Sequence, residues 1–216
     1  ADYIIATHNH SDHVDDIPLI AQNTGAKVVA IVETAEDLAS RGCKKIIGCN
    51  IGGTVKLNGL ELIFTQAFHS MSSNPSGVII LYKNKTIYHA GDTGVFSDMK
   101  LIGEMYPLDL AILPVGGHFT MGIKEAKKAI QLLNSKSVIP VHYNTFDLIK
   151  QEYQAQSRRL IGPPQAEHDH GRRIQRDQIP AHGLFANGQV DQRTGTQCQG
   201  GGNDQGIMFP ERGIHQ

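Results

Sequence analysis

No apolar run in this chain approaches the roughly 20 residues that a membrane-spanning helix requires, and no secretory leader precedes its first apolar segment. The expectation is a cytoplasmic protein with no membrane partner. Charge of one sign is lacking as well, since 20 Lys and Arg against 21 Asp and Glu leave a formal net charge of −1. Without a basic field, nucleic acid is not an expected partner either. Cysteine is scarce: Cys43, Cys49 and Cys198 make no C-x-x-C pair and no even-numbered framework, which excludes a disulfide scaffold and suits a reducing compartment. The chain has no G-x-S-x-G elbow and no cysteine beside a base motif, so hydrolysis through a serine or cysteine nucleophile is excluded too.

What the chain does contain is a dense run of ligand-type side chains, Thr7-His8-Asn9-His10-Ser11-Asp12-His13. It follows Ala1-Asp2-Tyr3-Ile4-Ile5-Ala6, a β-branched and aromatic stretch that reads as a buried strand. Alternation at the end of an extended segment puts His8 and His10 on one side, where both grip one metal. Asp12 and His13 fall where the chain turns into a helix with Val14, Ile17, Leu19 and Ile20 on its apolar side, and so face a second metal. Imidazole nitrogen and carboxylate oxygen are what Zn²⁺, Mn²⁺ or Fe²⁺ accept. A lone histidine reads as a solvated loop residue. Four ligand-type residues at this spacing after a strand read as a metal site.

Strands and helices alternate up to about residue 150. Lys27 to Val32 reads as a strand and Glu33 to Arg41 as a short helix stopped by Gly42. Val55 to Phe64 reads as a hairpin turning at Asn58-Gly59. A second hairpin runs from Gly77 to Tyr82, through Lys83-Asn84-Lys85, and back along Thr86 to Ala90. Phe96 to Tyr106 is expected to be helical and Leu108 to Val115 a buried strand. Ile123, Ala126, Ile130 and Leu133 recur at helical spacing, Ser137 to Val141 reads as a last strand, and Tyr143 to Tyr153 as the start of a helix.

Composition then breaks. Every lysine lies at or before Lys150, whereas every arginine except Arg41 lies after it. Residues 1–153 read as the folded domain. Residues 154–216, rich in Gln, Gly and Arg without a sustained period, read as a poorly ordered tail, a frameshifted or chimeric gene end rather than an interaction arm. The ligand-like His168-Asp169-His170 lies there without a packed framework to orient it. The first residue is not Met and the chain opens inside a strand, so a truncated start is expected.

Three further candidates fall at the ends of predicted strands: His69 after Leu62 to Phe68, Asp92 in His89-Ala90-Gly91-Asp92-Thr93-Gly94, and His142 after Val138 to Val141. Strand ends are where α/β folds put their sites. His8, His10 and His69 would hold one metal. Asp12, His13 and His142 would hold the other, with Asp92 bridging them.

Taken in order, His8-x-His10-x-Asp12-His13, His69, Gly91-Asp92-Thr93 and His142 resemble the metallo-β-lactamase superfamily. More narrowly, Gly91 to Met99, Gly116-Gly117-His118-Phe119-Thr120-Met121-Gly122 and Ile139 to Phe146 are similar to its metal-dependent hydrolases related to ascorbate-6-phosphate lactonase. The resemblance covers about residues 1 to 150 and implies an αββα sandwich, an α/β fold, with a dinuclear site at one edge of its sheets. Members carry further strands ahead of the first motif, and nothing in the tail resembles them.

Two ions about 3.5–4 Å apart hold a bridging water and make it hydroxide near neutral pH. The expected activity is therefore a dinuclear hydrolase of a small lactone, ester or phosphate-bearing metabolite, using two divalent ions, zinc first and manganese or iron as alternatives. A phosphodiesterase acting on RNA or cyclic nucleotides, an iron enzyme handling oxygen or sulfur substrates and an inactive metal-binding fragment are the rivals; a homo-oligomer is left open. Asp12, Asp92 and His118 are the expected catalytic residues. His118 is assigned to the substrate, since seven other ligands already fill two coordination spheres, and an imidazole there can bind an anionic group or protonate a leaving oxygen.

Overall fold

The computed structural model describes residues 1–70 and 73–151. Its first sheet is parallel and holds β1 (Tyr3–Ile5), β2 (Lys27–Ile31) and β3 (Ile46–Cys49) in that order. α1 (Ser11–Val14) and α2 (Ile17–Thr24) connect β1 to β2, and α3 (Val32–Ser40) connects β2 to β3. The second sheet runs in chain order through β4 (Thr54–Leu57), β5 (Leu60–Gln66), β6 (Ser76–Tyr82), β7 (Lys85–His89), β8 (Leu110–Pro114) and β9 (Val138–Val141). Pairing is antiparallel as far as β7 and parallel from there on, where α4 (Met99–Met105) and α5 (Ile123–Leu133) make the crossovers.

Alternation along the strands builds the layers. In β2, Val28 and Ala30 face the first helix layer with Val14, Ile17 and Leu38, while Val29 and Ile31 face the opposite way. There they meet Leu62 and Phe64 of β5 and Val78 and Ile80 of β6. The alternate residues Ile63 and Ile79 point outward to the second helix layer, against Met99, Ala126, Ala129 and Leu133. Three apolar layers thus alternate with two sheets, and the result is an αββα sandwich.

Two hairpins reverse the chain between β4 and β7. Asn58 and Gly59 both take positive φ, as a two-residue turn demands, and Tyr82 pairs with Lys85, so the second turn is Lys83-Asn84 alone. Because β5 and β7 are each antiparallel to β6, they share a direction, and β8 and β9 follow it. The C-terminal ends of β5, β7, β8 and β9 therefore lie along one edge of the sheet. The end of β1 joins them, since Ser76 at the start of β6 gives both its N–H and its hydroxyl to the Thr7 carbonyl, at 2.9 and 2.8 Å.

Several expectations shift. Leu19 is 59% exposed, so the apolar side of α2 is Ile17 and Ala21, with Ile20 at its margin. α4 starts at Met99 rather than Phe96. The helix expected from Tyr143 is only a 3₁₀ turn at Asp147–Ile149 within the described residues, because Asn144 at φ +58° cannot continue a right-handed helix. Strand β3 has no counterpart in the sequence reading, being four residues long with a glycine inside. The expected tail, with His168, Asp169 and His170, lies outside the described residues, as does the end of the domain expected at residue 153.

Candidate metal centre

Every residue of the expected ligand set leaves the C-terminal end of a strand, or the helical turn just after one, on the shared edge. His8 and His10 follow β1, and Asp12 and His13 sit in α1. His69 follows β5, Asp92 follows β7 and His142 follows β9. The fold brings all seven together in three overlapping groups: His8, His10 and His69; His8, His13 and Asp92; Asp12, His13 and His142.

The spacing decides what such a cluster suits. Tetrahedral bonds of about 2.0–2.1 Å put ligand atoms about 3.3 Å apart. Nε2 of His8 and Nε2 of His69 lie 3.0 and 3.2 Å from Nδ1 of His10. Oδ2 of Asp12 is 3.3 Å from His13 Nε2 and 3.7 Å from His142 Nε2. Oδ2 of Asp92 is 3.4 Å from His13 Nε2 and 3.2 Å from His142 Nε2, and it also lies 3.9 and 3.8 Å from the Nε2 atoms of His8 and His69. One carboxylate oxygen thus faces both halves of the cluster. His13 Nε2 and His142 Nδ1 are buried without a hydrogen-bond partner. Nitrogen and oxygen ligand atoms at tetrahedral-edge distances, one of them orphaned at the centre, fit divalent metal.

The neighbours of these side chains hold them in place. The Thr7 hydroxyl sits 3.1 Å from Nδ1 of His8, which leaves Nε2 to face the cluster. Gly91, at φ +63°, lets the Asp92 loop lie against β1 and β6: a Cβ there would meet the Ser76 carbonyl at 2.5 Å. Thr93 receives the Phe68 N–H on its hydroxyl at 2.9 Å and the Met121 N–H on its carbonyl at 2.9 Å. It thereby ties the His69 segment, the Asp92 loop and the loop after β8 into one unit. Ser73 donates to Asn9 Oδ1 at 2.8 Å and stands 3.4 Å from buried Thr34, bracing the loop between His8 and His10. The supports from Thr93 and Ser73 were not visible in the sequence, because their partners lie many residues away along the chain.

Electrostatics divide the histidines. Burial, helped by the neighbouring His13, pushes His8 down to about 3, and burial also lowers His69. Burial would lower His13, but Asp12 and Asp92 outweigh it and raise the group to about 9. The same carboxylates lift His142 to about 10. The close imidazoles of His13 and His142 hold Asp12 well below the usual carboxylate range; at Asp92 burial pushes the other way, but the same two imidazoles outweigh it and hold that carboxyl low as well. Without metal, therefore, His13 and His142 carry protons that an ion would displace.

His118 stands apart. It is exposed, belongs to none of the three groups and lies edge-on to the Phe119 ring at 4.5 Å between centroids. Its loop is nonetheless pinned to the cluster's own segments, through Met121 to Thr93 and through Val115 to the Val141 carbonyl at 3.0 Å.

The beta-lactamase superfamily domain matches residues 1–143. A protein of Thermofilum pendens named UPF0173 metal-dependent hydrolase is 51% identical over 150 residues, covering 69% of this chain and 65% of that relative. A relative of the same family name from Shouchella clausii is 45% identical over 167 residues, covering 72% and 73% of the two chains. Among solved structures, a metallo hydrolase of Ignicoccus hospitalis superposes with a TM-score of 0.70 at 42% identity, covering 74% of this chain and 71% of that one. The chain thus spans 65% of the length of the first of these relatives. On the fold, the order of its strand-end motifs and these matches, it belongs to the metallo-β-lactamase superfamily, among the UPF0173 metal-dependent hydrolases.

Proposed function

We propose that this chain is a dinuclear metal-dependent hydrolase acting on a small lactone, ester or phosphate-bearing metabolite. The observation that carries the reading is the position of Asp92 Oδ2, within 3.9 Å of an imidazole nitrogen from each of His8, His13, His69 and His142. His8, His10 and His69 would hold one ion and Asp12, His13 and His142 the other, with Asp92 between them. This set of five imidazoles and two carboxylates suits zinc first and admits manganese or iron. When bound, two such ions supply Lewis acidity and lower the pKa of water toward neutrality.

The rest of the work falls to the chain's own residues. Thr7 and Gly91 fix His8 and Asp92 so that the ligand atoms are spaced before any ion arrives. Asp12, its side chain 55% exposed, stands on the open side of the cluster, where solvent and substrate enter. His118, on the loop tied to Thr93, is placed to bind an anionic group or to protonate the leaving oxygen. A small-molecule substrate, rather than nucleic acid, agrees with the charges: Arg41, the one arginine among the described residues, is committed to Asp15 and Asp37 at 3.1 and 2.8 Å. A cytoplasmic setting is part of the proposal; no helix among the described residues is long and apolar enough to cross a membrane.

The test is metal analysis beside kinetics on lactones, thioesters and phosphodiesters. The wild type is expected to hold about two ions when loaded. Asp92→Ala is expected to lose most of its hydrolysis and to bind the second ion weakly. Full activity in that variant with one ion bound would end the dinuclear reading.

A further inference from the structure

Phenylalanine is unevenly placed in this molecule. Of the five among the described residues, Phe64 alone is fully buried, between the two sheets. Phe68, Phe119 and Phe146 are 55%, 47% and 46% exposed, and Phe96 is half-buried. Those four form two ring pairs, Phe68 with Phe96 at 5.0 Å between centroids and Phe119 with Phe146 at 6.2 Å.

Both pairs stand on the backbone that carries the ligands. Phe68 immediately precedes His69, and its N–H and carbonyl bond the Thr93 hydroxyl and the Gly94 N–H, each at 2.9 Å. Phe96 follows Asp92 by four residues, as Phe146 follows His142. Phe119 is on the loop after β8, whose Met121 N–H bonds the Thr93 carbonyl at 2.9 Å. A cleft of about 550 Å³, within the usual size of a small-molecule site, begins two residues past His142 and has Phe146 in its wall together with Asn144, Thr145, Asp147, Lys150 and Gln151. Large apolar rings left in water on ligand-bearing segments mark a binding surface, because single exposed apolar residues scatter whereas these are paired on the segments that carry His69, Asp92 and His142 and on the loop tied to Thr93.

Resting on the hydrolase reading above, we propose that the two phenylalanine pairs are the walls of the substrate site and select an ester or lactone that carries an aryl or comparably bulky apolar group beside the bond to be cleaved. That choice narrows the substrate class. Small polar and phosphate-bearing metabolites would leave Phe68, Phe119 and Phe146 wet and gain nothing from them, whereas a phenyl or branched acyl group is drawn out of water against them.

The test measures binding, so that it does not depend on turnover. Hydroxamates grip divalent metal through two oxygens, and calorimetry on the zinc-loaded full chain would compare acetohydroxamic acid with phenylacetohydroxamic acid, which differ by one phenyl group. The aryl probe is expected to bind at least about tenfold tighter, the effect of burying one phenyl group. Phe68→Ala and Phe119→Ala are expected to shrink that gap while the zinc content and the acetohydroxamate affinity hold, and Phe119→Tyr, which keeps a ring, is expected to preserve it. Equal affinities in the wild type, with zinc present, would overturn the proposal and mean that another copy of the chain or residues 152–216 cover the rings. Failure to hold zinc, manganese or iron alike would instead sink the hydrolase reading on which the proposal rests. A gap unchanged in both alanine variants would assign the preference to other residues and refute the walls.

Discussion

His142 holds its backbone at φ +55°, a conformation that costs a residue with a Cβ about 1–3 kcal/mol unless its surroundings enforce it. Gly116 makes room for that backbone, since a Cβ there would run into the His142 carbonyl. Protonation follows from the same crowding. His13 and His142 have folded pKa values raised to about 9 and about 10, so the stability they lend the metal-free protein is fully present below the unfolded value near ~6.5 and is lost as pH rises through 9 to 10. His8, depressed to about 3, works the other way, its contribution being present above ~6.5 and lost as pH falls toward 3. Thermal melts of the chelated protein across a pH series are therefore expected to peak near ~6.5 and fall on both sides. At His118, replacement by alanine is expected to leave both ions in place while lowering turnover or raising the Michaelis constant. Loss of an ion would make it a ligand, and unchanged kinetics would return it to the surface. The ligand residues were legible because their types and their places after strands are local properties. Thr93, Ser73 and Thr34 were not, since what gives each its role is a partner brought near only by the fold.

Helices α4 and α5 pack closely enough that a side chain on Gly103 would collide with the backbone carbonyl of Leu133. Two effects oppose each other in Gly103→Ala. Helix propensity favours alanine by about 1 kcal/mol, whereas forcing a methyl group into a closed contact costs about 1–3 kcal/mol. The contact is with backbone, which cannot swing aside, so overpacking is expected to win and the variant to melt lower than the wild type by calorimetry. At this scale the sequence read well wherever periodicity was strong. Ile123, Ala126, Ile130 and Leu133 mark α5, and Asn58-Gly59 marks the hairpin of β4 and β5. It failed where a tertiary partner decides. β3 is a strand because β2 offers it a parallel edge, and the segment from Tyr143 cannot run on as a helix because Asn144, two residues past a strained ligand, turns left-handed.

Over the whole molecule, the seven expected ligands lie between His8 and His142, inside the span that matches the family. We therefore propose residues 1–153 as the unit that holds the centre, and a chain ended there is expected to retain the full chain's metal content in elemental analysis. A lower content would place a ligand beyond that point. The sandwich was legible as a whole through the resemblance of its motifs, but how its layers are joined was not. His8, His10, Asp12 and His13 hang from the first sheet, while His69, Asp92 and His142 hang from the second. Ions held among them would act as a clasp across the seam between the sheets, as the hydrogen bonds from Ser76 to Thr7 do one step away. The rate at which the loaded protein comes apart would then be set less by its hydrophobic layers than by how long the clasp stays shut.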